Sequence, residues 1–111
     1  MSQPLPPIDA PSLRQLLTGG GAVRLLDVRE PAEYTSELGH VEGSELIPLG
    51  TLQAALPRLA GEAREIVVIC KSGMRAGKAA DFLAAQGLKT RVMTGGMMAW
   101  CAAGLPISRQ S

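Results

Sequence analysis

The sequence predicts an α/β domain with a mostly parallel central sheet and helices on both faces. Three observations carry that prediction. Ile66-Val67-Val68-Ile69 is an unbroken, largely β-branched apolar run, the pattern of a strand buried on both faces. Directly after it, Ala76, Ala79, Ala80 and Leu83 recur at three- and four-residue spacings, which is helical periodicity. Strand-like and helix-like segments alternate along most of the chain, and such alternation builds parallel sheets through crossover helices.

Taken in order, residues 1–7 hold three prolines and predict an extended, flexible lead-in. Ile8-Asp9 reads as a short edge strand. Asp9 or Ser12 can cap a helix over 11–17, which Gly19-Gly20-Gly21 ends. A strand follows over 23–28, and Pro31 opens a short helix to about residue 36. Gly39-His40-Val41-Glu42-Gly43 is a turn-rich connection, and 45–49 is a short strand closed by Pro48 and Gly50. Thr51 can cap a helix to about residue 59, although Pro57 must end or distort it. The central strand is followed by a helix over 75–86, which Gly87 terminates. Thr90 to Met93 is a further strand, and Gly95-Gly96 opens a last helix over 97–103. The expected division is a lead-in at 1–7, one domain over 8–107 and a tail at 108–111.

Bulk properties exclude several function classes. With 46% hydrophobic and 19% charged residues, the 111-residue chain has globular composition and suits one domain. A net charge of +1 and one residue each of Trp, Tyr and Phe leave neither a basic nucleic-acid surface nor a base-stacking platform. No apolar run approaches the roughly 18 residues of a transmembrane helix, and the N-terminus lacks the basic and apolar segments of a secretory signal. A soluble cytoplasmic protein is expected, with no membrane partner. Cys70 and Cys101 are too few for a disulfide framework, and with one histidine they make no zinc set, so no metal is expected. Monomer is the default state.

The chemistry concentrates at Cys70-Lys71-Ser72-Gly73-Met74-Arg75, between the central strand and the following helix. Open α/β sheets bind ligands beyond the carboxyl ends of their strands. Backbone N–H groups in a turn that feeds a helix lack partners of their own, and the helix dipole adds positive potential. Gly73 lets the turn curl its amides inward, while Lys71 and Arg75 add formal charge. Such surroundings favour an anion, and the thiolate is the reactive form of a cysteine. Gly73-Met74-Arg75-Ala76-Gly77-Lys78 superficially suggests a nucleotide-binding P-loop. It has too few residues between its glycines, and Ala79 stands where a metal-binding hydroxyl is required.

This loop resembles the active-site loop of the rhodanese sulfurtransferases, and the resemblance extends over about 8–107. It is carried by Leu26-Asp27-Val28-Arg29-Glu30 with Glu33-Tyr34, by Gly39-His40-Val41-Glu42-Gly43, and by Ile47-Pro48-Leu49. Ala79-Ala80, Gly95-Gly96-Met97-Met98-Ala99-Trp100 and Ala103-Gly104-Leu105-Pro106 complete it. Two departures are small: 35–38 is a slightly long connection, and Ala76 stands where a serine is frequent.

The resemblance implies a rhodanese-like three-layer fold and a thiosulfate sulfurtransferase that works through a Cys70 persulfide, with no separate cofactor. Cys70 would be catalytic, with Lys71, Ser72, Gly73, Met74 and Arg75 as the persulfide-binding loop. Asp27, Arg29, Gly95, Gly96 and Trp100 would support it. The partners implied are a small anionic sulfur donor and a thiol or cyanide acceptor, with a protein acceptor as a further possibility. One alternative is a persulfide relay or protein-interaction module with little thiosulfate turnover. Another is a phosphatase or arsenate reductase, whose related loops carry five residues between cysteine and arginine. Here there are four, and the shorter ring of amides suits one transferable sulfur. Asp27 and Arg29 are expected to brace the loop, and His40 to serve as a backbone hydrogen-bond partner. Met97, Met98 and Trp100 are expected in core or pocket wall, and Cys101 as a packed thiol.

Overall fold

The computed structural model describes residues 3–110. Met1 and Ser2 of the expected lead-in, and Ser111 of the expected tail, lie outside the described residues. The element order is α1 (Ala10–Thr18), β1 (Val23–Asp27), α2 (Pro31–Tyr34), β2 (Glu45–Leu46), a 3₁₀ turn (Leu49–Thr51), α3 (Leu56–Leu59), β3 (Glu65–Ile69), α4 (Met74–Ala85), β4 (Thr90–Val92) and α5 (Gly96–Ala102). The four strands form one sheet in the order β2-β1-β3-β4, and every neighbouring pair is parallel. In the central pair Val23 lies opposite Glu65 and Asp27 opposite Ile69.

Strand alternation sorts the core into two layers. Ile66, Val68 and Cys70 share one face with Leu26 and Val28. There they pack on Ala76, Ala79, Ala80 and Leu83 of α4 and on Leu59 of α3. Val67, Ile69 and Leu25 face the other way, against Ala10 and Leu13 of α1 and Met97 and Trp100 of α5. Because both faces of β3 are covered, Ile66 through Ile69 are wholly buried. That double cover is why the strand reads as a continuous apolar run. Three layers result, as the alternation of elements predicts.

Local chemistry explains the element ends. Asp9 caps α1, its Oδ1 accepting the Ser12 N–H at 2.8 Å. Ile8 forms an isolated parallel bridge to Met93 and no strand of its own. The described part of the lead-in is tied to the outer edge of β4: Leu5 N–H donates to Thr90 O at 2.7 Å. Likewise the Arg91 guanidinium donates to Pro6 O at 2.9 Å. At the other end Ser108 makes an antiparallel bridge with His40.

Two expected elements are shorter in the structure. The helix expected over 51–59 forms only at its end, as α3. The Thr51 hydroxyl donates back to Pro48 O at 2.9 Å, and four residues of turn intervene before α3. Pro57 sits in the first turn of α3, where its missing N–H leaves no helical bond unmade, so it opens that helix instead of ending one. The strand expected over 45–49 keeps ladder form only at Glu45–Leu46. Ile47 and Leu49 still donate to Asp27 O and Val28 O, at 2.9 and 3.0 Å, but Pro48 between them has no N–H to continue the ladder.

Candidate functional site

From β1 the chain leaves toward β2, and from β3 it leaves toward β4, so the two connections diverge. Their divergence opens a crevice beyond the carboxyl ends of β1 and β3. Asp27 closes β1 and Cys70 follows β3 directly, so the topology brings both to that crevice. Cys70 lies on the α4 face and is 1% exposed.

The loop after Cys70 is shaped by backbone contacts. Cys70 Sγ accepts the Gly73 N–H at 2.9 Å. Gly73 has φ +111°, a left-handed value that favours glycine, and α4 starts at the next residue. The carbonyls of Cys70 and Lys71 are held by α5: Met97 N–H donates to the first at 2.8 Å and Met98 N–H to the second at 3.0 Å. No peptide bond among the described residues is cis, and in a trans peptide the N–H points opposite the C=O. With those two carbonyls turned toward α5, the N–H groups of Lys71 and Ser72 point away from it. Gly96 makes this approach possible. A Cβ there would lie 2.4 Å from both the Cys70 and the Lys71 carbonyl oxygens, at φ +57°. Gly95 lies on the same seam, since a Cβ on Gly73 would meet the Gly95 nitrogen at 3.7 Å.

Charge around the loop is largely paired. Arg75 grips Glu33 of α2 with both guanidinium nitrogens, at 2.7 and 2.8 Å. The hydrogen bonds from Arg75 hold the Glu33 carboxyl down from 4.5 to about 2, and Glu33 raises Arg75 in turn. Glu33 is itself placed by a capping box, accepting the Glu30 N–H at 3.0 Å. Arg29 and Asp27 form a second pair, 2.8 Å apart and 1% and 0% exposed. Asp27 Oδ1 also accepts the Arg29 backbone N–H, while the guanidinium reaches Glu33 O and Gly39 O. This pair therefore ties β1 to α2 and to the Gly39 turn. Lys71 is exposed, with no carboxylate within 4.0 Å among the described residues. A cavity of about 270 Å³ beside it is lined by Arg29, Glu33, Ser36, Glu37, Leu38 and Lys71.

The remaining expected residues divide between the site and the core. Ser72 is exposed, as is Met74, at 78%. Trp100 is fully buried in the α1–α5 layer, and its indole donates to Pro106 O at 2.8 Å. It lines a cavity of about 400 Å³ with Arg14, Leu17, Val41, Glu42, Pro106 and Ile107, none of them a loop residue. Trp100 thus belongs to the scaffold beneath α5. His40 Nδ1 lies 2.8 Å from Tyr34 O, and a carbonyl only accepts, so Nδ1 carries the proton. Its ring stacks on Tyr34 with centroids 3.6 Å apart. Met97 is buried and Met98 is 53% exposed. Cys101 is half-buried, its thiol 3.4 Å from Leu38 O. Glu33 is the site residue that spacing alone missed. The sequence signal for its placement was Glu30-Pro31-Ala32-Glu33, a capping pattern at a helix start.

Comparison with known proteins agrees with this fold. The rhodanese-like domain family matches residues 9–103. A sulfurtransferase of Allochromatium vinosum is 33% identical over 101 residues, covering 90% of this chain and 92% of that protein. An uncharacterized protein of Synechocystis is 37% identical over 99 residues, and the match covers 87% of this chain but 53% of that protein. The crystal structure of a rhodanese-related protein from Thermoplasma volcanium superposes with a TM-score of 0.84 at 29% identity, covering 96% of this chain and all of that one.

Proposed function

The chain belongs to the rhodanese family, and from that membership we propose that it is a sulfurtransferase whose sulfur is carried by Cys70. In the first half-reaction the Cys70 thiolate attacks the outer sulfur of a donor such as thiosulfate. A Cys70 S–S bond forms, the donor S–S bond breaks, and sulfite leaves with its electron pair. In the second, an acceptor nucleophile takes the terminal sulfur and the thiolate is regenerated. The acceptor is cyanide in the assay tube and a thiol or a protein thiol in the cell. Atoms and electrons balance without an external oxidant, so the scheme needs no cofactor beyond the covalent persulfide.

The observation that carries this reading is the Gly73 N–H at 2.9 Å from Cys70 Sγ, at the centre of a turn whose neighbouring carbonyls α5 draws away. Preorganised N–H donors around a sulfur that gains and loses negative charge stabilise the transferring group. In this scheme Lys71 through Arg75 form the cradle, the Arg75–Glu33 pair fixes its helical end, Gly95 and Gly96 let α5 hold its carbonyls, and the Asp27–Arg29 pair supports α2, which carries Glu33. A cytoplasmic setting is part of the proposal, supported by two free thiols. No helix among the described residues is long and apolar enough to cross a membrane.

Steady-state kinetics test the scheme. Varying thiosulfate and cyanide together should give parallel double-reciprocal lines, the pattern of a ping-pong mechanism. Intersecting lines, with no persulfide on the isolated protein, would contradict it.

A further inference from the structure

The segment that follows α2 forms a wall of the crevice. Ser36, Glu37 and Leu38 line the cavity of about 270 Å³ beside Lys71, together with Arg29 and Glu33. This wall lies outside every helix and strand, so its carbonyls need acceptor partners that no ladder supplies. Side chains from three distant parts of the chain meet that need, one carbonyl after another. Arg109 donates from Nε and Nη2 to Glu37 O, at 3.0 and 2.8 Å. The Cys101 thiol of α5 donates to Leu38 O at 3.4 Å. Arg29, just past β1, donates to Gly39 O at 2.7 Å.

The tail is itself anchored where it reaches the wall. Ser108 exchanges both backbone hydrogen bonds with His40, at 2.8 and 2.9 Å. A Cβ on Gly39 would lie 2.5 Å from Ser108 O, so the two segments are in close contact. Arg109 follows directly, beyond residues 9–103 that match the rhodanese-like family. It has no carboxylate within 4.0 Å among the described residues, and its planar fork closes on one carbonyl. Within the cavity, Arg29 and Glu33 are paired with Asp27 and Arg75. An anion drawn to the unpaired Lys71 therefore meets the 36–38 wall.

We propose that Arg109 is a positioning residue for sulfur transfer: by holding Glu37 O it fixes the 36–38 wall of the cavity in which the donor anion sits beside Lys71. The proposal rests on the Cys70 sulfur-transfer reading and adds to it a residue that governs donor binding from outside the family match. The chemical step lies beyond its reach. The Cys70–Gly73 turn is shaped by α5 and by its own bond to Cys70 Sγ, and no hydrogen bond among the described residues joins that turn to the wall. Loss of the clamp therefore weakens donor binding and leaves the rate of the bound complex nearly unchanged.

The experiment measures single-turnover sulfur loading of the full chain from thiosulfate by intact mass, over a range of thiosulfate concentrations. Wild type is compared with Arg109→Ala, Arg109→Lys and Arg91→Ala. Arg91 is the control, a guanidinium that donates to Pro6 O at 2.9 Å on the outer edge of β4. In Arg109→Ala the half-saturating concentration should rise about fivefold or more, with the limiting rate within about twofold of wild type. Lysine keeps the charge without the fork and should recover only part of the loss. Arg91→Ala should leave both constants within about twofold of wild type. An unmoved half-saturating concentration in Arg109→Ala, an equal rise in Arg91→Ala, or a loss confined to the limiting rate overturns the positioning role. Full rescue by lysine, or a wild-type rate that never saturates, overturns it too. Any of these results with wild type loaded leaves sulfur transfer by Cys70 standing, whereas no loading of wild type refutes both.

Discussion

Replacing Gly96 with alanine tests how α5 shapes the loop. The new Cβ would lie 2.4 Å from the carbonyl oxygens of Cys70 and Lys71, which are backbone atoms and cannot swing aside. It would also occupy φ +57°, which costs a non-glycine residue about 1–2 kcal/mol. To relieve the contact, the start of α5 must retreat by several tenths of an ångström. That retreat stretches the Met97–Cys70 and Met98–Lys71 hydrogen bonds, now 2.8 and 3.0 Å. Each such bond contributes about 1 kcal/mol. Gly96→Ala should therefore destabilise the fold by about 3–4 kcal/mol and lower Tm by about 10–15 °C. Gly20→Ala is the control, because Gly20 has φ +80° but nothing within 4 Å of the added Cβ. It should cost about 1–2 kcal/mol, the backbone strain alone. Thermal unfolding followed by circular dichroism reads both variants. If they melt together, α5 does not hold the loop as described.

Other perturbations address the charged pairs. Glu33 has its folded value near 2, below its ordinary 4.5, so the pair's contribution is present above about pH 4.5 and is lost as pH falls toward 2. Glu33 and Arg75 side chains are 30% and 35% exposed, and solvent screening limits the pair to about 1 kcal/mol. Glu33→Gln should lower the unfolding free energy from urea titration at pH 7 by that amount, with the gap from wild type closing at pH 2–3; a gap that stays constant would disprove the linkage. Asp27→Asn leaves the Arg29 charge buried without its counterion and should cost about 3 kcal/mol or more. Denaturant unfolding reads this directly, and a loss under 1 kcal/mol would mean that water reaches the pair.

Local patterns were the legible part of this molecule. β3 could be read from four residues because layers on both of its faces remove the need for polar positions. The loop that follows was also legible, since Cys70, Gly73 and the start of α4 are contiguous in sequence. Contacts between distant residues were not. Arg75 reads as an anion-binding cation until Glu33, 42 residues away, is placed against it. Trp100 shares α5 with Gly96, and the resemblance implies a supporting role for both, although a tryptophan in that helix reads as core or pocket wall. One turn of helix separates them, and the indole faces α1 and the chain's end instead. Pro57 was read as a helix stop because proline is excluded from helix interiors, yet the same missing N–H suits it to the first turn of α3.

The most direct test of the central claim is intact mass of the protein after brief exposure to thiosulfate or to an organic persulfide, for wild type and Cys70→Ser, followed by cyanide. Wild type should gain one sulfur atom, Cys70→Ser none, and cyanide should remove the gain as thiocyanate. Sulfur retained on Cys70→Ser, or none on wild type from either donor, would contradict Cys70 as the carrier.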